Sequence, residues 1–274
     1  MPATDGIGLP GGLRVGGSRR RDAALRPLTG ADEAFLAEES AGLLPARRTT
    51  ALLTRCLERL GPLEAPVSPG AVAALSVGDR EALLLHLRRI SMGDRLDASV
   101  ACPHCAELMD LDLLVGDLLV APYDAWPDHH EAVIDGRATR FRLPTGADQE
   151  AVAPAALDDP PAAAALLLAR CVQGEVTPAV TETVPALMAD LDPQAEIVLD
   201  TECAACGGHV SAPFDAGDYL CREVLVSWHG LLRQVHTLAL NYGWSERDIL
   251  ALPTRNRAAY IALIAEDVEA SEAG

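Results

Sequence analysis

At 274 residues with 49% apolar side chains, the chain can build one large or two modest hydrophobic cores, which excludes a disordered or fibrous protein. Forty acidic against twenty-two basic residues give a net charge of −18, which repels nucleic-acid backbones and leaves a protein as the expected partner. All the basic residues are arginines, so a Walker-type phosphate loop and a Schiff-base lysine are excluded; no apolar run reaches the roughly 18 residues of a membrane span and no leader pattern opens the chain, so a cytoplasmic protein is expected.

Residues 1–24 are rich in Gly, Pro and Arg without apolar periodicity and predict a disordered or loosely docked arm carrying Arg19, Arg20 and Arg21. A helical region is predicted over 25–95. Within it, apolar residues recur at helical spacing from Asp32 to Leu60, as in Leu53, Cys56, Leu57 and Leu60, until Gly61-Pro62 ends the run. Residues 61–70 read as a linker. Ser76 and Asp79 then fit a capping box, and Leu83, Leu84, Leu87 and Ile90 share one helix face. His86 lies in this helix as a structural histidine.

From 96 to 215 the period changes. M-D-L-D-L-L-V (109–115) alternates apolar Met109, Leu111 and Leu113 with Asp110 and Asp112, the period of a half-buried strand, and D-A-S-V-A (97–101) before it is strand-compatible. The same order of strand, C-x-x-C, turn and strand recurs at A-E-I-V-L-D-T-E, C-A-A-C and G-G-H-V-S-A-P-F (195–214). Between the two lies an α/β insert (116–195) with strands near 132–144, a capping signal at Thr145 and Asp148, and helices near 160–174 and 181–192. The region 216–270 is helical, with one long amphipathic stretch over about 217–241 and a capping box at Ser245 and Asp248. His229 and His236 share a face of the long helix without a carboxylate or cysteine placed to complete a site.

Seven cysteines without a leader argue against a disulfide framework, and Cys56, Cys171 and Cys221 sit in apolar helical settings as small hydrophobes. The other four form two C-x-x-C pairs, Cys102 with Cys105 and Cys203 with Cys206. A redox pair places its first sulfur at a helix N-terminus, where the dipole and free amides favour the thiolate. The residues after Cys105 alternate as a strand instead. A single structural Zn²⁺ held by Cys102, Cys105, Cys203 and Cys206 explains why the same setting occurs twice, and four thiolates leave no open position for catalysis. Two observations keep the question open: 97 residues separate Cys105 from Cys203, far beyond zinc-ribbon spacing, and His104 and His209 flank the cysteines as potential replacement ligands. A thiol-disulfide oxidoreductase using Cys102 and Cys105 is the alternative, and a zinc-ribbon nucleic-acid binder is disfavoured by the charge. The expected fold class is α+β: two zinc-knuckle β-hairpins forming a split four-cysteine site, helical N- and C-terminal regions, and the α/β insert. No nucleophile elbow, metalloprotease helix or dinucleotide fingerprint is present, which points to a binding or assembly protein rather than an enzyme.

Several stretches together resemble a known family. L-S-V-G-D-R-E-A-L-L-L-H-L-R-R-I-S-M-G-D (75–94), the C-P-H-C that follows, F-R-L-P-T-G-A-D (141–148), L-L-A-R-C-V (167–172) and Y-G-W-S-E-R-D-I-L-A-L-P (242–253) are similar to the baseplate-assembly proteins of contractile phage tails and phage-tail-like contractile injection systems. R-P-L-T-G-A-D-E (26–33) is similar to the start of tail assembly chaperones. The resemblance implies a chaperone or minor component of the baseplate hub without catalytic residues, with zinc cysteines carried over as Cys102, Cys105, Cys203 and Cys206. It implies other baseplate, hub or tape-measure proteins as partners, and Tyr242, Trp244, Ile249 and Leu250 are the expected contact residues.

Overall fold

In the computed structural model, which describes residues 6–124 and 126–272, the Gly- and Pro-rich start of the chain is a β-hairpin, Ile7–Val15 against Ser18–Leu25. This corrects the expectation of a loose arm, of which only residues 1–5 lie outside the described residues. The reason is a contact invisible to local composition: the Gly11 and Gly12 amides each donate to the Asp79 carboxylate at 2.8 Å, from 68 and 67 residues away. Gly12 holds φ +83°, open to glycine at no steric cost, and lets the first strand bulge between Gly8 and Leu13. Leu9 and Leu25 are thereby fully buried.

The continuous helix expected over 32–60 is also corrected. A short helix, Gly30–Ala34, runs through a π-turn and a 3₁₀ turn before a second helix, Pro45–Cys56, and the chain then switches to strand at Leu57–Leu60. Leu57 pairs with Leu25 and Leu60 with Ala23, extending the hairpin into a four-stranded antiparallel sheet that Leu63–Glu64 completes from within the expected linker. Spacing alone cannot separate the two states here, because Leu57 and Leu60 are buried as well from a strand as from a helix.

The central helix, Val77–Met92, buries Leu83, Leu84 and Leu87 against this sheet. Ser76 caps it by accepting from the Asp79 amide at 3.1 Å, but the Asp79 carboxylate reaches the hairpin instead of closing the box. Gly78 admits a second carboxylate: its amide donates to Asp192 Oδ2 at 3.2 Å, and a Cβ there would lie 2.0 Å from Asp192 Oδ1. The positive end of the helix is thus joined to the insert by an acid. His86 stands 3.0 Å from the Arg89 guanidinium, and burial with that charge pushes it down to about 4, so it is neutral at pH 7.

The insert has a core of its own, with Phe141, Leu168 and Val184 between a three-stranded sheet (His130–Ile134, Arg137–Phe141, Val172–Gln173) and the helices Pro160–Cys171 and Pro178–Leu191. Three helices, Ala216–Tyr242, Glu246–Leu250 and Thr254–Glu272, end the chain. No helix among the described residues is long and apolar enough to cross a membrane.

The long helix starts against a buried acid. Its Ala216 amide donates to Glu81 Oε2 at 2.9 Å, and burial together with Asp215 pushes the Glu81 carboxyl up to about 8. A carboxyl raised on folding leaves stability intact below its unfolded value of 4.5 and lowers it progressively as pH rises to about 8. Glu81→Gln keeps the acceptor and removes the titration. Its thermal midpoint is expected to exceed that of the parent at pH 9, with the gap closing by pH 5; an equal gap at both values would refute the assignment.

Candidate metal centre

Two β-hairpins carry the cysteine pairs. The first is Arg95–Ala101 with Leu108–Leu114, and the second is Ile197–Glu202 with His209–Phe214. Their strands alternate outward and inward residues as the sequence period requires, yet little apolar surface is buried at their tips: Cys102, Cys203 and Val210, with Val100 and Met109 beside them, form the entire cluster there. At their bases they are tied to the body by Leu96 and Val115 in the main core and by Tyr219, whose hydroxyl donates to the Asp97 carbonyl at 3.0 Å.

Each C-x-x-C occupies a tight turn between its strands. The Cys102 amide donates to the Glu107 carbonyl at 2.8 Å and the Ala106 amide to the Cys102 carbonyl at 2.9 Å; in the second turn Cys203 bonds Gly208 at 2.9 Å and Gly207 bonds Cys203 at 2.8 Å. Both turns require a left-handed residue, Ala106 at φ 62° and Gly207 at φ 69°. Alanine is strained in that region and glycine is not. Ala106→Gly is therefore expected to stabilise the protein by up to about 1 kcal/mol, and Gly207→Ala to destabilise it by a similar amount, both read from denaturant midpoints.

The turns meet tip to tip. The four sulfurs lie within 4.8 Å of one another, with Cys102 Sγ 3.7 Å from Cys206 Sγ and Cys105 Sγ 3.7 Å from Cys203 Sγ. A tetrahedron of thiolates at a metal–sulfur distance of about 2.3 Å has edges of about 3.8 Å, so this donor set fits a tetrahedral ion. Cys102 and Cys203 are buried, while Cys105 and Cys206 reach the surface. Four thiols this close compete for protons: against burial, the His104 and Cys105 amides pull Cys102 down to about 6, while, against the Glu107 amide, the neighbouring sulfurs push Cys105 up to about 12. A cation at the centre relieves that competition by favouring the thiolate at all four.

The flanking histidines do not join the cluster. His104 Nε2 lies 3.1 Å from the His209 carbonyl oxygen, across the junction of the turns, and His209 Nε2 lies 3.4 Å from Asp200. Gly208 makes room for this packing, since a Cβ there would stand 2.4 Å from the His104 ring. The strand Leu108–Leu114 follows Cys105, so its turn is not a helix N-terminus. Cys56, Cys171 and Cys221 are buried away from the site.

With this geometry in place, the family described as T4 bacteriophage base plate protein matches residues 23–175, more than half of the chain. The chain belongs to the T4 bacteriophage base plate protein family. The match includes Cys102 and Cys105 and ends before Cys203 and Cys206, so the second half of this base plate protein's cysteine cluster lies beyond it. No curated protein and no solved structure matches the chain.

Two of the expected contact residues pack against the body. Ile249 is fully buried and Leu250 packs on Gly30, where a Cβ would stand 2.9 Å from Leu250 Cδ2, so both hold the C-terminal helices onto the body. Tyr242, Trp244 and Tyr260 form an aromatic cluster with ring separations of 4.8, 5.0 and 5.8 Å where the long helix turns into the last. Sequence reasoning missed the burial of the charged side chains Arg80, Arg257 and Asp32, and read Asp148 only as a cap; each is at most 1% exposed. Their signal was the pattern of an arginine or aspartate one turn inside a capped helix, which local reading assigns to solvent.

Proposed function

We propose that this base plate protein is a non-enzymatic assembly factor or minor component of the base plate hub of a contractile tail or contractile injection system, with one structural Zn²⁺ joining its cysteine hairpins. The observation that carries the reading is the convergence of four thiols from two distant hairpins in a chain of the base plate family. Zinc suits an all-sulfur tetrahedral set, and four protein ligands leave no vacant position for a substrate. Elemental mass spectrometry on purified protein is expected to give about one zinc per chain, lost in both Cys102→Ser and Cys203→Ser variants. Metal-free protein with a reducible Cys102–Cys105 disulfide would move the oxidoreductase reading ahead.

Support for a partner surface comes from the outer face of the C-terminal helices. Val226 and Leu240 are 86% and 75% exposed, and Leu225, Leu232 and Leu263 are also exposed. Such exposed apolar residues, four of them along the helix Ala216–Tyr242 and Leu263 on the last helix, favour contact with another tail protein. Val226→Asp with Leu240→Asp is expected to abolish co-purification with co-expressed tail proteins while leaving the thermal midpoint unchanged; retained co-purification would remove this face from the proposal.

A further inference from the structure

Three blocks of the chain occur twice, in the order turn, helix pair, hairpin and then turn, hairpin, helix pair, and the copies share most of their bonds. In L-R-P-L-T-G-A-D (25–32) and F-R-L-P-T-G-A-D (141–148), the arginine pairs with the aspartate three residues past the threonine, Arg26 with Asp32 at 2.5 Å and Arg142 with Asp148 at 2.5 Å. A second arginine from the next long helix completes each cluster, Arg55 Nε to Asp32 at 3.0 Å and Arg170 Nε to Asp148 at 2.9 Å. The backbone agrees: Arg26 N donates to the Cys56 carbonyl and Arg142 N to the Cys171 carbonyl, both at 3.0 Å.

The second block is a helix pair. S-P-G-A-V-A-A-L-S-V-G-D-R (68–80) and S-E-R-D-I-L-A-L-P-T-R-N-R (245–257) each begin with a capping serine, bury Val72 or Ile249 completely, and end on an arginine that is 1% exposed, Arg80 or Arg257. The cysteine hairpins are the third block, each followed by a helix start, V-G-D-L (115–118) and A-G-D-Y (216–219).

The docking of these blocks is crossed. Gly30 N donates to the Leu252 carbonyl at 3.3 Å and Thr254 N to the Leu28 carbonyl at 3.1 Å; Gly146 N donates to the Leu75 carbonyl at 3.0 Å and Val77 N to the Pro144 carbonyl at 3.2 Å. The first Thr-Gly-Ala-Asp turn therefore holds the last helix pair, and the second holds the first pair. Each turn uses its glycine to let the arginine in: a Cβ on Gly146 would lie 2.2 Å from Arg80 Nη1, and one on Gly30 would lie 3.1 Å from Arg257 Nη1. Exchanging the copies leaves all these contacts in place, the sulfur contacts included, because Cys102 to Cys206 becomes Cys203 to Cys105. The sites differ in countercharge, since Arg257 meets Glu33 at 2.6 Å whereas Arg80 meets Thr50 Oγ1 at 2.8 Å and the Ala46 carbonyl at 2.8 Å.

We infer that the two Thr-Gly-Ala-Asp turns are copies of one docking site for a helix start bearing a buried arginine, related by a local two-fold within one polypeptide even though the helix pair precedes the cysteine hairpin in the first half and follows it in the second. Each site is occupied by the helix pair of the opposite half, and the cysteine cluster lies between the halves. Isologous contacts of this kind are the signature of two-fold association. Only the placement of the metal rests on the zinc reading; the docking sites stand without it.

The test is to insert a protease site after exposed Asp124, cleave the purified full chain, and follow the two pieces by gel filtration with and without chelator. The pieces are expected to co-elute in both conditions. Arg80→Met and Arg257→Met, placed separately, are each expected to raise the dissociation constant of the pieces at least about tenfold, the order of one buried contact. Gly30→Ala and Gly146→Ala serve the same purpose should an arginine variant not fold. Separation of the parent pieces in the presence of metal would overturn the inference. So would separation on chelation alone, which leaves the zinc reading intact, and so would a loss confined to one of the two sites.

Discussion

Removing the proposed metal, by chelation or by Cys203→Ser, is expected to unfold the two cysteine hairpins while the helical body stays folded. The hairpin tips bury only a handful of apolar side chains, whereas the central helix lies in the main core with Leu9, Leu25, Leu53 and Leu84. Structural zinc sites contribute apparent binding free energies of about 10–16 kcal/mol, and without that contribution an isolated two-stranded hairpin is marginal in water. Hydrogen exchange resolves the outcome by segment. Amides of 95–101, 108–114, 197–202 and 209–214 are expected to lose protection on chelation, and those of Val77–Met92 to keep it. Loss of protection in both places would show that the metal supports the whole fold; loss in neither would sink the clamp.

The second large effect is expected at the Glu33–Arg257 pair. Its oxygen and nitrogen are 2.6 Å apart with side chains 5% and 1% exposed, so each charge depends on the other. Arg257→Met strands the Glu33 carboxylate beside Thr254 in the core. Breaking one partner of a buried pair costs about 3–5 kcal/mol, much of it the penalty of the charge left behind. Denaturant titration should show that loss in Arg257→Met and a partial recovery in the double variant with Glu33→Gln. A double variant as weak as the single would place the cost in packing of the arginine stem instead.

What could be read from the sequence was whatever a short window determines. The alternation in M-D-L-D-L-L-V follows from the two-residue period of a strand, and the helix at Leu83, Leu84 and Leu87 from the 3.6-residue period, so both were legible. C-x-x-C is likewise local, and its repetition in the same setting pointed to a shared site. The first hairpin was not legible, because the acid that satisfies Gly11 and Gly12 lies in another helix. The switch at Leu57 depends on pairing with Leu25, and the inward direction of Ile249 on a turn more than 200 residues earlier. A five-residue helix such as Glu246–Leu250 is too short for its pattern to say which face is covered.

The long helix has a mechanical consequence. It begins two residues after the last strand residue of the second cysteine hairpin and runs 27 residues, about 40 Å at 1.5 Å per residue, to the stacked rings of Tyr242 and Trp244. A rod of that length resists bending far better than a loop resists stretching. A load applied to the cysteine hairpin is therefore carried by the rod both into the core, where Leu220, Val224, Leu231 and Leu238 are buried, and on to the aromatic elbow.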